Sequence, residues 1–222
     1  MNTLQDYLST FQTTNETARE TCSRLWKSIS LHVQEKKLTS SGIFDLTKRQ
    51  QILNELTFRP AILVHLALEA QKLGHSMNTF VEIGTAQGMQ SIIFSEVFPQ
   101  AKVYTCDIKD DRCQEFVSHQ NLNFVLGDSL ILGKKLYEEQ KKVDFCWVDG
   151  SHDSYAVLDD FLSLLPHTHC DTIWAFDDYD ERFGCFKDLN LILRHFKESL
   201  VLELGSTASG NPNRIIITRG LV

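Results

Sequence analysis

The chain has 222 residues, of which 42% are hydrophobic and 23% charged, and its formal net charge is −7. This composition is typical of a folded globular protein and excludes a disordered chain. The acidic balance argues against a nucleic-acid partner, because proteins that bind nucleic acids usually present a basic face.

The N-terminal segment, MNTLQDYLSTFQ, is polar and lacks the apolar core of a signal peptide. No apolar run reaches the roughly 20 residues of a membrane span. Together these features predict a cytoplasmic protein without a membrane partner. The six cysteines form no Cys-x-x-Cys pair, and reduced buried thiols are therefore favoured over zinc ligands or disulfides.

Helical patterns fill the first third of the chain. Thr13 and Glu16 resemble a capping box, and apolar residues follow them at helical spacing. A shorter helix is expected around Leu46–Leu56. Pro60 fits the first position of a further helix that stops at Gly74.

The pattern changes after residue 78, where short apolar runs alternate with amphipathic segments. This alternation predicts a doubly wound, Rossmann-like α/β fold with helices on both faces of a parallel sheet. The five runs are TFVEIG (79–84), AKVYTCD (101–107), NFVLGD (123–128), VDFCWVD (143–149) and DTIWAFD (171–177). Two further runs, SLVLELG (199–205) and RIIITRG (214–220), have no room for a crossover helix between them and should pair antiparallel.

The change of pattern divides the chain into two predicted regions. Residues 1–77 would form a helical region. Residues 78–222 would form the α/β domain. In such a domain, ligands bind beyond the carboxyl ends of the strands.

The first run ends VEIGTAQGMQS, where Gly84 and Gly88 permit a tight turn and a close approach of the backbone to a ligand. The spacing is not Gly-x-Gly-x-x-Gly, because Ala86 stands at the middle position. Glu82 precedes the first glycine and suits a ligand with an ammonium or sulfonium charge. The second run ends in Asp107, a carboxylate that can accept both hydroxyls of a ribose.

The strand ends together resemble the class I S-adenosylmethionine-dependent methyltransferases. The resemblance rests on Glu-x-Gly-x-x-x-Gly after the first run, an acid after the second and Gly-Asp-Ser after the third. It covers about residues 78–220. It implies a seven-stranded sheet with an antiparallel last strand, a helical cap and S-adenosylmethionine as the cofactor.

The same resemblance implies roles for individual residues. The two glycines would admit the methionine part of the cofactor, and Ser91 would bind its carboxylate. Asp107 would hold the ribose, and Asp128 with Ser129 would contact the adenine. The implied cofactor-binding set is Glu82, Gly84, Thr85, Ala86, Gly88, Ser91, Asp107, Ile108, Asp128, Ser129 and Asp149.

Acidic residues follow the fourth and fifth runs. Asp149 ends one run, and Asp177 with Asp178 ends the other. If the two strands are neighbours, the three carboxylates meet, and their repulsion costs several kcal/mol unless a cation compensates it. Oxygen ligands suit Mg²⁺, or else Mn²⁺ or Ca²⁺. The alternative is that Asp177 or Asp178 caps a following turn. Asp180 and Glu181 are expected to be solvated.

This segment is similar to the metal-dependent O-methyltransferases of the catechol type, of the macrolide and aminocoumarin sugar type and of the cephalosporin-pathway type, a methyltransferase family 24-like pattern. The resemblance implies that Asp149, Asp177 and Asp178 bind the metal. Two positions depart from it: His152 replaces the catalytic lysine of the catechol type, and Ser151 replaces an acid of the sugar type. His152 is still suited to act as the base, because its unperturbed pKa lies near neutral pH.

The predicted reaction is methyl transfer from S-adenosylmethionine to a hydroxyl of a small molecule, such as a sugar, a phenol or a natural product. Three alternatives stay open: a metal-independent methyltransferase acting on nitrogen or carbon, an NAD(P)-dependent oxidoreductase and a non-catalytic binding protein. The apolar N-terminal helices are compatible with a homo-oligomer and equally with packing on the sheet.

Overall fold

The fold is built on one mixed β-sheet. The computed structural model describes residues 3–9, 46–206 and 212–222. The strands are β1 Thr79–Ile83, β2 Lys102–Asp107, β3 Leu122–Leu126, β4 Phe145–Val148, β5 Ile173–Phe176, β6 Phe196–Ser206 and β7 Pro212–Leu221. Their order across the sheet is β3-β2-β1-β4-β5-β7-β6.

Strands β1 to β5 pair in parallel, whereas β7 runs antiparallel to both β5 and β6. The predicted Rossmann-like seven-stranded sheet with an antiparallel last strand is therefore confirmed. The chain order reverses between β1 and β4, which are neighbours. A crevice for a ligand is expected at this switch point, beyond the carboxyl ends of the strands.

Helices cover both faces of the sheet. The described helices are α1 Leu4–Ser9, α2 Leu46–Lys72, α3 Met89–Val97, α4 Gln114–Val117, α5 Ser129–Glu138, α6 Ala156–Leu164 and α7 Phe186–Ile192. Short 3₁₀ turns follow α6 and α7. None of these described helices combines the length and the apolar character needed to cross a membrane.

Alternating side chains of each strand divide the core into two layers. Phe80 of β1 belongs to the layer under α2 and α3, and its ring lies 4.6 Å from that of Phe94. The next residue, Val81, belongs to the opposite layer, with Leu132 of α5 and Phe161 of α6. Each fully buried side chain of this size contributes about 1.5–3 kcal/mol to folding.

The helix around Pro60 differs from its prediction. A single helix runs from Leu46 to Lys72 with Pro60 inside it, so the prediction of a helix starting at Pro60 was wrong. Proline lacks an N–H, and an interior position therefore costs one helical hydrogen bond, about 3 kcal/mol. The following turns, from Ala61 to Ala70, are buried against the sheet, and this burial offsets the cost.

The capping box at Thr13 and Glu16 lies outside the described residues. From Ala61 onward, α2 shares one hydrophobic core with β1, and Leu4 and Tyr7 of α1 join it. The division of the chain at residues 77 and 78 stays a prediction.

Candidate active site

The loop after β1 approaches β4 closely. Gly84 has a φ of +91°, and a Cβ at this position would lie 2.0 Å from the carbonyl oxygen of Asp149. Only glycine fits this conformation and this spacing. The loop stays left-handed at Ala86, whose φ is +45°. The loop therefore makes the predicted tight turn and passes close to the end of β4, and its close approach to a ligand stays a prediction.

A cavity of about 820 Å³ opens at these strand ends, between the loop and helices α5 and α6. Its volume is in the range of sites for small ligands and cofactors. The predicted cofactor residues that line it are Gly84, Ala86, Asp107, Ile108, Asp128, Ser129 and Asp149. The structure thus brings together residues from the ends of four strands.

Two of these aspartates also shape the cavity wall. The Oδ2 of Asp107 accepts a hydrogen bond of 2.9 Å from the backbone N–H of Ala86, and its Oδ1 accepts one of 3.1 Å from Lys109. Asp128 is the N-cap of α5, where its Oδ1 accepts from the N–H of Ile131 at 3.1 Å. Their backbone partners fix the position of both carboxylates.

The other predicted cofactor residues, Glu82, Thr85, Gly88 and Ser91, are not among those that line the cavity. Ser91 is fully buried on α3 and donates a hydrogen bond to Glu82. The hydroxyl of Thr85 lies 2.6 Å from that of Thr105, which in turn lies 3.4 Å from Glu82. Gly88 is the N-cap of α3. This polar network supports the loop from below, and direct contact of these residues with the cofactor stays a prediction.

Asp160 is a cavity residue that the sequence analysis missed. It lies on α6 and lines the cavity, with its Oδ2 facing Gly150. Burial raises the pKa of Asp160, although a hydrogen bond from the side chain of Ser129 opposes the rise. A signal was present, because Asp160 shares the helix face of the buried residues Val157 and Leu164.

The predicted acid cluster forms at the ends of β4 and β5. Val148 and Phe176 are paired in the sheet, so the residues that follow them are neighbours. Asp177 is buried, and Asp178 has a left-handed backbone with a φ of +51°. This turn sends the adjacent carboxylates to different partners, Asp177 to Arg59 and Asp178 to His152.

His152 lies between two of the acids. Its Nε2 is 2.8 Å from Oδ2 of Asp178 and 3.9 Å from Oδ1 of Asp149. The edge of its ring packs on Phe183 at 5.1 Å. The neighbouring carboxylates of Asp149 and Asp178 raise the pKa of His152 to about 10. The imidazole is therefore protonated at neutral pH, and it can act as a base only when these carboxylates are otherwise neutralised.

Arg59 supplies a second cation that the sequence analysis did not identify. Its Nη1 contacts Oδ2 of Asp177 and lies 3.6 Å from Oδ2 of Asp149. Its Nη2 donates a 3.1 Å hydrogen bond to Oδ1 of Asn213 on β7, and its guanidinium lies 5.9 Å from the ring centre of Trp147. Burial nevertheless holds the pKa of Asp177 well above its usual range, against the lowering effect of Arg59.

The donor atoms of the cluster fit a divalent cation. One ligand atom each of Asp149, His152 and Asp178 lies within 4.8 Å of the others. Oδ1 of Asp177 is buried and has no hydrogen-bond partner. The carboxylate oxygens of the cluster suit Mg²⁺ or Mn²⁺, whereas the protonated imidazole of His152 is not a ligand. Arg59 and His152 already offset part of the repulsion from which the metal was inferred.

The sequence predicted that Asp180 would be solvated, and this prediction was wrong. The residue is buried, and its Oδ1 accepts a 2.7 Å hydrogen bond from Nε of Arg182. This guanidinium lowers the pKa of Asp180. Glu181 is exposed, as expected. The pairing with Arg182, two residues away in sequence, keeps Asp180 apart from the acid cluster.

Comparisons with known proteins agree with this geometry. Residues 81–179 match a family model described as a methyltransferase domain. An O-methyltransferase from Bacillus cereus in complex with SAH is similar at a TM-score of 0.57 and 14% identity, over 87% of this chain and 99% of that chain. The sequence comparison with curated proteins finds no match.

Two further solved structures are similar. TomG from Streptomyces achromogenes, an O-methyltransferase of tomaymycin synthesis in complex with SAM, has a TM-score of 0.60 and 13% identity, over 75% of this chain and 81% of that chain. The MycE methyltransferase of the mycinamycin pathway, in complex with Mg, SAH and mycinamycin VI, has a TM-score of 0.51 and 17% identity. The match covers 71% of this chain and 49% of MycE.

At these identities the solved structures show the fold alone. The residues matched by the family model, 81–179, include the strand ends that line the cavity. The predicted resemblance to the class I S-adenosylmethionine-dependent methyltransferases is therefore confirmed, and residues 81–179 match the model of a methyltransferase domain.

Proposed function

We propose that the protein is an S-adenosylmethionine-dependent O-methyltransferase that acts on a hydroxyl of a small molecule with the help of a divalent cation, Mg²⁺ in the first instance. One observation carries the proposal. Asp149 lines the cofactor cavity and also belongs to the cluster with His152 and Asp178. A methyl donor in the cavity and an acceptor at the cluster would therefore meet at Asp149.

The charge of the cavity supports a cationic cofactor. Five carboxylates line it, those of Asp107, Asp128, Asp149, Asp159 and Asp160. Their field attracts a ligand with ammonium and sulfonium groups and repels a pyrophosphate. This argues against the NAD(P)-dependent alternative. Solved relatives of this fold bind SAM or SAH.

The acid cluster supports oxygen as the acceptor atom. A cation held by Asp149, Asp177 and Asp178 would supply Lewis acidity that lowers the pKa of a bound hydroxyl. The carboxylates would orient the acceptor beside the methyl donor. With their charge neutralised, Asp149 and Asp178 would no longer hold the proton on His152. Nε2 of His152 would then accept the proton of the acceptor hydroxyl.

Cofactor identity is tested by calorimetry of the purified protein with SAH and with NAD. We expect SAH to bind and NAD not to bind. Binding of NAD alone would support the oxidoreductase alternative. Binding of neither ligand would support a non-catalytic protein of the same fold.

Metal dependence is tested in a transfer assay with radiolabelled S-adenosylmethionine and a panel of catechols and sugars. We expect EDTA to abolish turnover while SAH binding stays nearly intact, and Mg²⁺ to restore turnover. Turnover that survives EDTA, also in an Asp177→Asn variant, would favour the metal-independent alternative.

Several predictions made from the sequence are part of this proposal. They are the cytoplasmic location, the absence of a nucleic-acid or membrane partner, the homo-oligomer and the catalytic role of His152. The choice among sugar, phenol and natural-product acceptors also belongs to this group.

A further inference from the structure

Arg59 occupies the place in the acid cluster where a cation would bind. Its Nη1 lies between Oδ2 of Asp177, which it contacts, and Oδ2 of Asp149 at 3.6 Å. We propose that Arg59 is a counter-ion that competes with a divalent cation for Asp149 and Asp177. The cation would bind both carboxylates only when the guanidinium moves away from them. The inference rests on the proposed cation.

Burial makes a counter-ion favourable at Asp177 whenever its side chain is ionised. The side chain is only 4% exposed, and a buried carboxylate is costly unless it is paired. Arg59 supplies the pairing from α2, across the sheet edge. Removing it would leave the carboxylate in need of another positive charge, which a divalent ion can provide.

The geometry explains why the cluster differs from the predicted metal set. The three ligand atoms that lie within 4.8 Å of one another come from Asp149, His152 and Asp178. Asp177 is absent from this group, and its Oδ2 is held by Arg59. Its Oδ1 is buried without a hydrogen-bond partner. Withdrawal of Arg59 would free Asp177 to complete the predicted set.

The position of Arg59 connects this competition to the helical region. Asn213 on β7 and the ring of Trp147 on β4 hold the guanidinium at the cluster. Arg59 directly precedes Pro60, where α2 lacks one backbone hydrogen bond. Because linkage is reciprocal, a cation that displaces Arg59 would also loosen the contact of α2 with the sheet.

The test measures Mn²⁺ binding without turnover, by electron paramagnetic resonance. The proteins are the wild type, Arg59→Gln, Arg59→Lys and a matched control, Arg112→Gln. The control removes an arginine that pairs with Asp110, away from the cluster. Thermal unfolding and SAH calorimetry on the same samples establish that each variant is folded.

We expect Arg59→Gln to lower the Kd for Mn²⁺ by about tenfold or more, because it removes a positive charge that contacts the carboxylates proposed to hold the ion. Arg59→Lys keeps the charge but loses the planar guanidinium fork, which also donates to Asn213, so we expect a smaller gain. The control should stay within about threefold of the wild type. Adding Asp177→Asn to Arg59→Gln should cancel the gain.

Equal or weaker Mn²⁺ binding by both folded Arg59 variants would overturn the inference, and so would a lack of Mn²⁺ binding in every protein. In both cases SAH binding by the wild type would leave the cofactor part of the methyltransferase proposal intact, but in the second case its divalent cation would fail as well. A wild type that binds Mn²⁺ but not SAH would overturn that proposal instead.

Discussion

The Nε2 of His152 lies 2.8 Å from Oδ2 of Asp178, and this pair joins the loop after β4 to the end of β5. The contact depends on the left-handed backbone of Asp178, which turns its carboxylate away from that of Asp177. It makes His152 a cation in the resting site rather than a free base. The charge of the acid cluster therefore depends on this ion pair, which the pH dependence of stability can test.

We expect His152→Gln to reduce the dependence of stability on pH. The pKa of His152 is raised to about 10, above the value near 6.5 in an unfolded chain, so the folded state binds the proton more tightly. The stabilisation is complete below pH 6.5 and is lost as the pH rises through 10. In EDTA, thermal unfolding should show the largest difference between wild type and variant near pH 6.

The control for this experiment is the exposed His195, changed to glutamine. It should follow the wild type across the whole range. A difference between wild type and His152→Gln that stays constant from pH 6 to above pH 10 would contradict the assignment of a charged His152.

We expect Gly84→Ala to cost more stability than Gly74→Ala. Both glycines have a φ near +90°, but a Cβ at Gly84 would meet the carbonyl of Asp149, whereas nothing lies within 4 Å at Gly74. Backbone strain alone costs about 1–2 kcal/mol, and overpacking adds about 1–3 kcal/mol. Urea unfolding gives the free energies, and SAH binding should be lost only in Gly84→Ala. An equal loss of unfolding free energy at both positions would contradict the close contact between the loop and the backbone of Asp149.

We expect Asp160→Asn to stabilise the protein at pH 8 and not at pH 3.5. Burial raises the pKa of Asp160, so the folded state resists the ionisation that the unfolded state undergoes freely. Stability is therefore lost as the pH rises from the ordinary pKa to the raised one, and asparagine removes this loss. A gain of about 2–4 °C in Tm corresponds to ~1 kcal/mol for a domain of this size.

The exposed Asp171, changed to asparagine, is the control for Asp160. Its Tm should follow the wild type at both pH values. If Asp160→Asn raised the Tm equally at pH 3.5 and pH 8, the effect would come from packing rather than from the charge.

The meeting of the strand ends could be predicted from the sequence. Alternating runs specify a parallel sheet, and the rule that ligands bind at the carboxyl ends of its strands is independent of side-chain detail. Asp149 and Asp177 follow directly after paired strands, and their proximity therefore needed only the order of the strands.

Arg59 could not be predicted in the same way. It is 118 residues from Asp177 in sequence, and no local pattern links the two. The prediction also started a helix at Pro60, which left Arg59 outside it, whereas the structure places Arg59 within α2. The charge of His152 could not be predicted either. It depends on the left-handed backbone of Asp178, a conformation that glycine and asparagine adopt more readily than most residues.

We expect Asp107→Asn to weaken SAH binding by about 10- to 100-fold, the value of one charge-assisted hydrogen bond. The carboxylate holds the backbone N–H groups of Ala86 and Lys109, and it faces the cavity. Asparagine keeps one acceptor oxygen but loses the charge that a ribose would bind. The control is Asp110→Asn, whose aspartate pairs with Arg112 outside the cavity and should leave the Kd unchanged. Calorimetry that finds the Kd of Asp107→Asn within threefold of the wild type would place the ribose elsewhere.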